Sequence, residues 1–235
     1  MDREEIFSYA AALDQSGRMR NTILCNERDV LVINSDRTIL LRFALPETSA
    51  AFKETVIFDA NDYDSANFYV EGDSIVFKTV QDGYVRKKKC GSSKSLSFDE
   101  IFRLYYRYAR KKATSRFTLR KAIMSALQDD LSHVEIHWDN GLKVVQRDIF
   151  SGTIIEIVND ASGLDFASQE KLERFEPIGI RTVDLDALFN YDQELSFSFV
   201  PGGNYFIVKG KTTDLTGLLS WCLFDELGRI EVLGK

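Results

Sequence analysis

The feature that most constrains this chain is a plan written twice. A helix-like stretch, a run of alternating strands, a Thr-Val-x-x-Asp element and a final group of strands occur once in each half. The first copy of the element runs from Thr55 to Asp59 (TVIFD) and the second from Thr182 to Asp186 (TVDLD), an offset of 127 residues. Each is followed by two strand-like runs, FYVEGDSIVFKTV from Phe68 and ELSFSFVPGGNYFIVKGK from Glu194. Duplicated α+β halves that carry no catalytic motif point to a geometric device rather than an enzyme.

At 235 residues and 44% hydrophobic, the chain is long enough for two cores of roughly 100 residues each. The three cysteines, Cys25, Cys90 and Cys222, are odd in number and lie in or at the end of strand-like runs. That usage predicts a reduced, intracellular protein. No apolar run follows a basic N-terminal patch, and no window of about 20 residues is free of charge, so neither a signal peptide nor a membrane span is expected. A formal net charge of −6 argues against wholesale coating of nucleic acid; contact with DNA has to come from a local basic patch.

Along the chain, Ile6, Phe7, Ala10 and Leu13 form one stripe of an amphipathic helix over residues 3–13, which Gly17 stops. NTILC, DVLVIN and TILLRFAL follow as an antiparallel meander, separated by polar turn residues. The second half repeats this. Residues 119–131 read as a helix with Leu119, Ile123, Ala126 and Leu127 inward, and HVEIHW, LKVVQRDIF and TIIEIV read as strands.

Between the halves, residues 92–115 read as a linker holding an amphipathic basic helix. Phe98, Ile101, Phe102, Tyr105 and Ala109 recur at helical spacing, while Arg103, Arg107, Arg110 and Lys111 fall on another face. From Arg103 to Lys121 there are eight cations and no acid. A docking helix with a solvated charged face explains the pattern without any ligand. A phosphate-contacting helix explains it too, and explains the asymmetry in a net-acidic chain.

Other chemical signals do not assemble into a site. His133 and His137 sit in a strand pattern that sets them roughly 13 Å apart, too far for one metal. Gly210-Lys211-Thr212 imitates the end of a phosphate-binding loop, but Tyr205 stands where the loop needs glycine and strand-like residues follow. Asp59, Asp62 and Asp64 lack the glycine and glutamate of a calcium loop. No nucleophile is paired with a histidine, and neither a cofactor nor a metal is implied.

The order of elements resembles the DNA sliding clamps, the processivity factors of the proliferating-cell-nuclear-antigen superfamily, and bacteriophage clamps in particular. RFTLRKAIMSALQDDLSHVEIHWDNGLKVVQRD is similar to a clamp helix with its first two strands, and TVDLDALFNYDQELSFSFVPGGNYFIVKG to the later strand, short helix and hairpin. The resemblance implies two similar clamp domains, at 1–91 and 116–235, with antiparallel sheets outside and helices lining a central hole. Three chains would close a ring around double-stranded DNA, held without regard to sequence. The implied partners are a DNA polymerase and a clamp loader, and for a viral protein the location is the host cytoplasm.

Neither DANDYDSA (residues 59–66) nor LDALFNYDQ (185–193), where clamps place short helices, contains a cation. The DNA-facing charge is therefore expected from Arg3, Arg18 and Arg20 around the first helix, from Arg103, Arg107, Arg110 and Lys111, and from Arg116, Arg120 and Lys121 around the second helix. Arg107, Arg110, Arg120 and Lys121 are expected to be exposed. Arg120 and Lys121 would stand at a helix N-terminus, where the macrodipole disfavours cations by a few tenths of a kcal/mol. A partner-peptide pocket is implied between 91–98 and 221–226, formed by Phe98, Trp221, Leu223 and Phe224. The alternatives from other classes are a β-rich structural assembly protein, such as a viral tail or capsid component, and a small hydrolase.

Overall fold

The computed structural model describes residues 5–6, 21–26, 28–34, 36–45, 56–59, 68–71, 74–81, 83–90, 98–128, 131–138, 142–148, 150–158, 166–170, 178–203 and 205–220. The chain divides into two compact units, with the boundary between Tyr108 and Ala109. Of the expected first helix, Glu5 and Ile6 are helical and Ile6 is fully buried; the rest of 3–13 lies outside the described residues.

In the first unit β1 (Asn21–Cys25), β2 (Asp29–Asn34) and β3 (Ile39–Ala44) form the expected antiparallel meander. All six residues of β2 are buried, so both faces of this strand are covered. The β2–β3 turn is set by Asn34. Its side-chain oxygen accepts from the backbone N–H groups of Thr38 and Ile39, both at 2.9 Å, and its amide donates to Thr38 Oγ1 at 2.8 Å. These bonds hold Arg37 in the left-handed region, at φ 57°. β4 (Val56–Asp59) returns beside β1, giving the order β3-β2-β1-β4. β5 (Phe68–Glu71), β6 (Ser74–Gln81) and β7 (Tyr84–Cys90) make a second, three-stranded sheet, with Gly83 at φ 81° in the β6–β7 turn. Cys25 is a buried thiol whose Sγ–H donates to Asn26 O at 3.4 Å.

The basic amphipathic helix of the expected linker is α1 (Phe98–Ala109). Asp99 and Glu100 in its first turn and Arg107 in its last match the helix dipole. Ile101, Leu104 and Tyr105 are buried, so one row of the helix is core.

The second unit repeats the strand order of the first. β9 (His133–Trp138), β10 (Leu142–Arg147) and β11 (Ile154–Val158) form a meander, and β13 (Ile178–Arg181) returns beside β9, giving β11-β10-β9-β13. β8 (Ser115–Arg120), β12 (Phe166–Glu170), β14 (Glu194–Phe199), β15 (Tyr205–Gly210) and β16 (Thr216–Ser220) run in the order β12-β8-β14-β15-β16. Phe117 of β8, Phe197 of β14 and Phe206 of β15 meet as a stacked pair at 5.3 Å and two edge contacts at 5.8 and 5.9 Å, all three fully buried. Each ring contributes about 3 kcal/mol by burial, and the favourable geometry adds to that.

Two expectations are corrected here. Residues 119–131 are not one helix: Leu119 and Arg120 are the last two residues of β8, and Lys121–Ala126 turns as a 3-10 helix in which Ile123 is buried and Ala126 is exposed. The backbone of the next residues is claimed by side chains from elsewhere. Buried Gln146 accepts from Gln128 N at 2.7 Å and donates to Gln128 O at 3.1 Å, and the Thr182 hydroxyl donates to Leu131 O at 2.6 Å. Those bonds replace helical ones.

The two Thr-Val-x-x-Asp elements are also not structural equivalents. Val56–Asp59 is a strand zipped onto β1, whereas Thr182–Asp186 opens α2 (Thr182–Tyr191). In strand order the counterpart of β4 is β13, immediately before α2. Leu185, Leu188 and Phe189 of α2 are buried at helical spacing, and Asp184, fully buried, is gripped by Arg181 through Nε at 2.8 Å and Nη2 at 2.5 Å.

Candidate nucleic-acid and partner interface

On α1 the apolar and basic faces separate as expected. Arg103 and Arg107 lie one turn apart, exposed, on the side away from Ile101 and Tyr105. Arg110, Lys111 and Lys112 follow directly after the helix and are exposed as well. They belong to the second unit, and Arg103 and Arg107 to the first.

The cations of β8 are placed differently. Arg116 is exposed, with its Nε donating to Ser198 Oγ at 3.2 Å. Arg120 and Lys121 are half-buried, not exposed as the sequence led us to expect. Arg120 faces Glu194, its cross-strand partner in register, at 3.5 Å, and Lys211 reaches the same carboxylate at 2.5 Å. Lys121 Nζ donates to Asn190 Oδ1 at 2.9 Å. Since Lys121 begins a 3-10 turn of six residues, the dipole penalty expected of an α-helix does not apply in that form. α2 adds no cation, and Val183, Asp186 and Asn190 are its exposed residues. Arg3, Arg18 and Arg20 lie outside the described residues.

A cleft of about 830 Å³ opens in the first unit, where α1 meets the ends of β2 and β3. One wall is an aromatic ladder on α1: Phe98 stacks on Phe102 at 5.4 Å, and Phe102 meets the edge of Tyr106 at 4.7 Å. The spacing of four residues puts the three rings in one row, distinct from the buried row of Ile101 and Tyr105. The opposite wall is polar, with Asn26, Arg28 and Asp29. Arg42 joins the two walls. It bonds Asp29 Oδ1 through Nε at 2.9 Å and Nη2 at 2.7 Å, and its guanidinium lies 5.6 and 5.7 Å from the rings of Phe102 and Tyr106. Phe102 and Tyr106 are only half-buried, so ring surface remains open to the cleft. Of the four residues expected in a peptide pocket, Phe98 lines this cleft; Trp221, Leu223 and Phe224 lie outside the described residues. Tyr106 and Arg42 were missed by sequence reading, although the i, i+4, i+8 aromatic spacing was legible.

Among the described residues no His, Cys, Asp or Glu cluster could hold a metal ion. His133 and His137 both lie on β9; the first meets Ser132 Oγ at 2.7 Å and the second Glu135 Oε2 at 2.8 Å. Gly210 ends β15 and is followed by β16, not by a helix. No helix among the described residues is long and apolar enough to cross a membrane.

Solved structures share this architecture. The beta chain of DNA polymerase III from Streptococcus pneumoniae superposes with a TM-score of 0.59 at 11% identity, over 92% of this chain and 62% of that one. The fold is that of the sliding clamps. The Helicobacter pylori beta clamp, solved with carprofen, gives 0.62 at 11% identity over 93% and 64%, and the Pseudomonas aeruginosa DNA polymerase III subunit beta gives 0.54 at 10% over 92% and 64%. This clamp-fold chain spans a little under two thirds of the length of those subunits. No protein-family model and no curated protein matches it.

Proposed function

We propose that this chain is a DNA sliding clamp that encircles duplex DNA and tethers a replicative polymerase. The observation that carries the reading is the clamp fold, shared with DNA polymerase III beta subunits over nine tenths of the chain. It fits a chain whose strand order occurs twice: six such units would close a ring, and three copies would supply them, as in bacteriophage-type clamps. The mechanism is mechanical, without a reaction catalysed by the clamp itself. Arginine and lysine make weak, sequence-independent phosphate contacts that permit sliding, while closure of the ring prevents escape. Arg103, Arg107, Arg110, Lys111 and Arg116 are the exposed candidates among the described residues, with Arg120 and Lys121 second to them because they are half-buried. Opening the ring calls for a clamp loader, and the setting is the cell in which replication occurs.

The partner site we assign is the cleft beside α1. Its aromatic ladder offers open ring faces to an extended or single-turn peptide with an aromatic anchor, and Asn26, Arg28 and Asp29 offer polar fixing points. The function is tested by loading the protein onto nicked circular DNA and comparing retention after linearisation. Loss on linear DNA with retention on circles is expected; equal loss from both overturns encirclement. For the cleft, a Phe102→Ala, Tyr106→Ala variant checked for folding should bind the polymerase tail at least tenfold more weakly, and unchanged affinity places the site elsewhere.

A further inference from the structure

The β6–β7 hairpin of the first unit concentrates positive charge on its strands. They read SIVFKTVQ and YVRKKKC, with five cations and no acid, in a chain whose formal net charge is −6. Asp82 stands between them in sequence. In register Lys78 faces Lys87 directly across the ladder, and both are exposed. Like charges at directly opposed positions destabilise a strand pair. Among the described residues no acid pairs with Lys78, Arg86 or Lys87. The fold carries this repulsion without an internal counter-charge, which leaves the counter-charge to a ligand.

The end of the hairpin adds an aromatic ring. Tyr84, 79% exposed, opens β7 directly after Gly83. Strand alternation puts Tyr84 and Arg86 on one face, roughly 6.7 Å apart along the strand, and Val85 and Lys87 on the other with Lys78. All five are exposed, so both faces at this end of the hairpin are open and cationic. Several anionic surfaces answer such charge, and the geometry separates them. Duplex DNA hides its base faces in the stack and is stiff over about 150 base pairs, so it meets one face and leaves the ring idle. An acidic peptide brings carboxylates but no base plane for the ring. A bilayer takes one broad apolar face, and here Tyr84 and Val85 are divided between two. A single strand bends sharply, offers phosphates to both faces and carries bases that stack on an open ring.

We propose that the end of the β6–β7 hairpin binds single-stranded nucleic acid, with a base stacked on Tyr84 and phosphates held by Arg86, Lys87 and Lys78. The site lies within one unit, uses side chains rather than the backbone edge of β7, and draws on none of the cations assigned to duplex contact. It goes beyond encirclement, which holds duplex and asks nothing of an unpaired strand. Where duplex gives way to single strand, the hairpin supplies a second hold.

The probe is a fluorescently labelled oligothymidylate of about twelve nucleotides, titrated against the full chain at low salt. A duplex of the same length, an oligoglutamate peptide and vesicles of anionic lipid serve as competitors. A short linear strand is not retained by encirclement, so its binding is read independently of the ring. The single strand should bind most tightly. Tyr84→Ala should weaken it about fivefold or more with the salt slope unchanged, and Tyr84→Phe should bind like wild type. Lys78→Gln, Lys87→Gln should make the slope shallower by about 1.4 units, about 0.7 for each lost phosphate. Lys78→Gln alone relieves the opposed pair and should raise Tm, which separates lost binding from lost folding. Tighter binding of the duplex, peptide or vesicles overturns the proposal, as does a Tyr84→Ala variant that binds like wild type or a lysine variant with an unchanged slope. If retention on circular duplex fails while the oligonucleotide result holds, encirclement falls and the hairpin site stands; the reverse pattern removes the hairpin site alone.

Discussion

Asp192, at the end of α2, is a buried carboxylate that holds the β15–β16 turn. It accepts from the backbone N–H groups of Glu194 at 3.0 Å, Thr212 at 2.8 Å and Thr213 at 3.1 Å, and from the Thr213 hydroxyl at 2.9 Å. Burial alone would raise its pKa, but these donors outweigh it and hold the carboxyl below its ordinary value. A group depressed in the folded state stabilises above its unfolded pKa, near 3.9, and loses that contribution as pH falls through the native value. Asp192→Asn should therefore cost about 1–3 kcal/mol at pH 7 and lose less Tm than wild type between pH 5 and about 3, which thermal melts at both pH values check. Gly210 belongs to the same lock, since a Cβ there would stand 2.6 Å from Asp192 Oδ2 and also strike Thr213 Oγ1. Gly210→Ala should destabilise by about 1–3 kcal/mol, and the double variant should cost less than the sum of the two. Arg181→Ala removes both guanidinium bonds from the buried Asp184 carboxylate; a loss of about 3–5 kcal/mol is expected in denaturant unfolding, and a loss below about 1 would show that the pair adds little.

At the scale of elements, the two basic segments behave differently. Arg103→Glu, Arg107→Glu alters the solvent face of α1 and should lower stability only by the dipole contribution of Arg107, about 0.3–1 kcal/mol, while lowering the salt slope of DNA binding by up to about one unit per lost phosphate contact. Arg120→Glu places a second carboxylate opposite Glu194, so it should lower Tm before any effect on DNA is read. A variant pair with the reverse pattern would move the DNA-facing charge from α1 to β8. The segment after β8 supplies a companion test: Gln146→Ala removes the side-chain acceptor of the Gln128 N–H and leaves its carbonyl with Leu131 N–H at 3.3 Å, so it should cost about 1–3 kcal/mol, with faster hydrogen exchange at residue 128.

At the scale of the molecule, the proposed ring sets the expected mass. Sedimentation or native mass measurement over a concentration series should give three times the chain mass for the assembled species, with no larger closed form. A dimer of this two-unit chain would supply four units, and would remove the six-unit ring while leaving the clamp fold intact. The domain limits we propose, 1–91 and 116–235 about a linker, meet a boundary between Tyr108 and Ala109 that gives most of α1 to the first unit. The Arg103 and Arg107 face would then move with the first unit in any hinge at 109–114.

Local pattern alone determined the two meanders and α1. β2 is a run that buries both faces, and α1 separates apolar and basic residues at helical spacing; both signals lie within one element, so no distant residue is needed to read them. The repeat was legible as a plan, but its frame was not. Thr-Val-x-x-Asp is a strand where β1 offers it a ladder and a helix where Arg181 and the buried row of Leu185, Leu188 and Phe189 fix it. Residues 119–131 carry a helix period, yet the chain stops turning at Ala126 because Gln146 and Thr182, distant in sequence, take the backbone groups a longer helix would use. The cleft depended on the same kind of fact: the aromatic row of α1 could be counted from spacing, but Arg42 reaches Phe102 and Tyr106 only because the fold brings β3 under the helix. Periodicity reports which face of an element is apolar, while the partner that meets that face is chosen by contacts far apart in the chain.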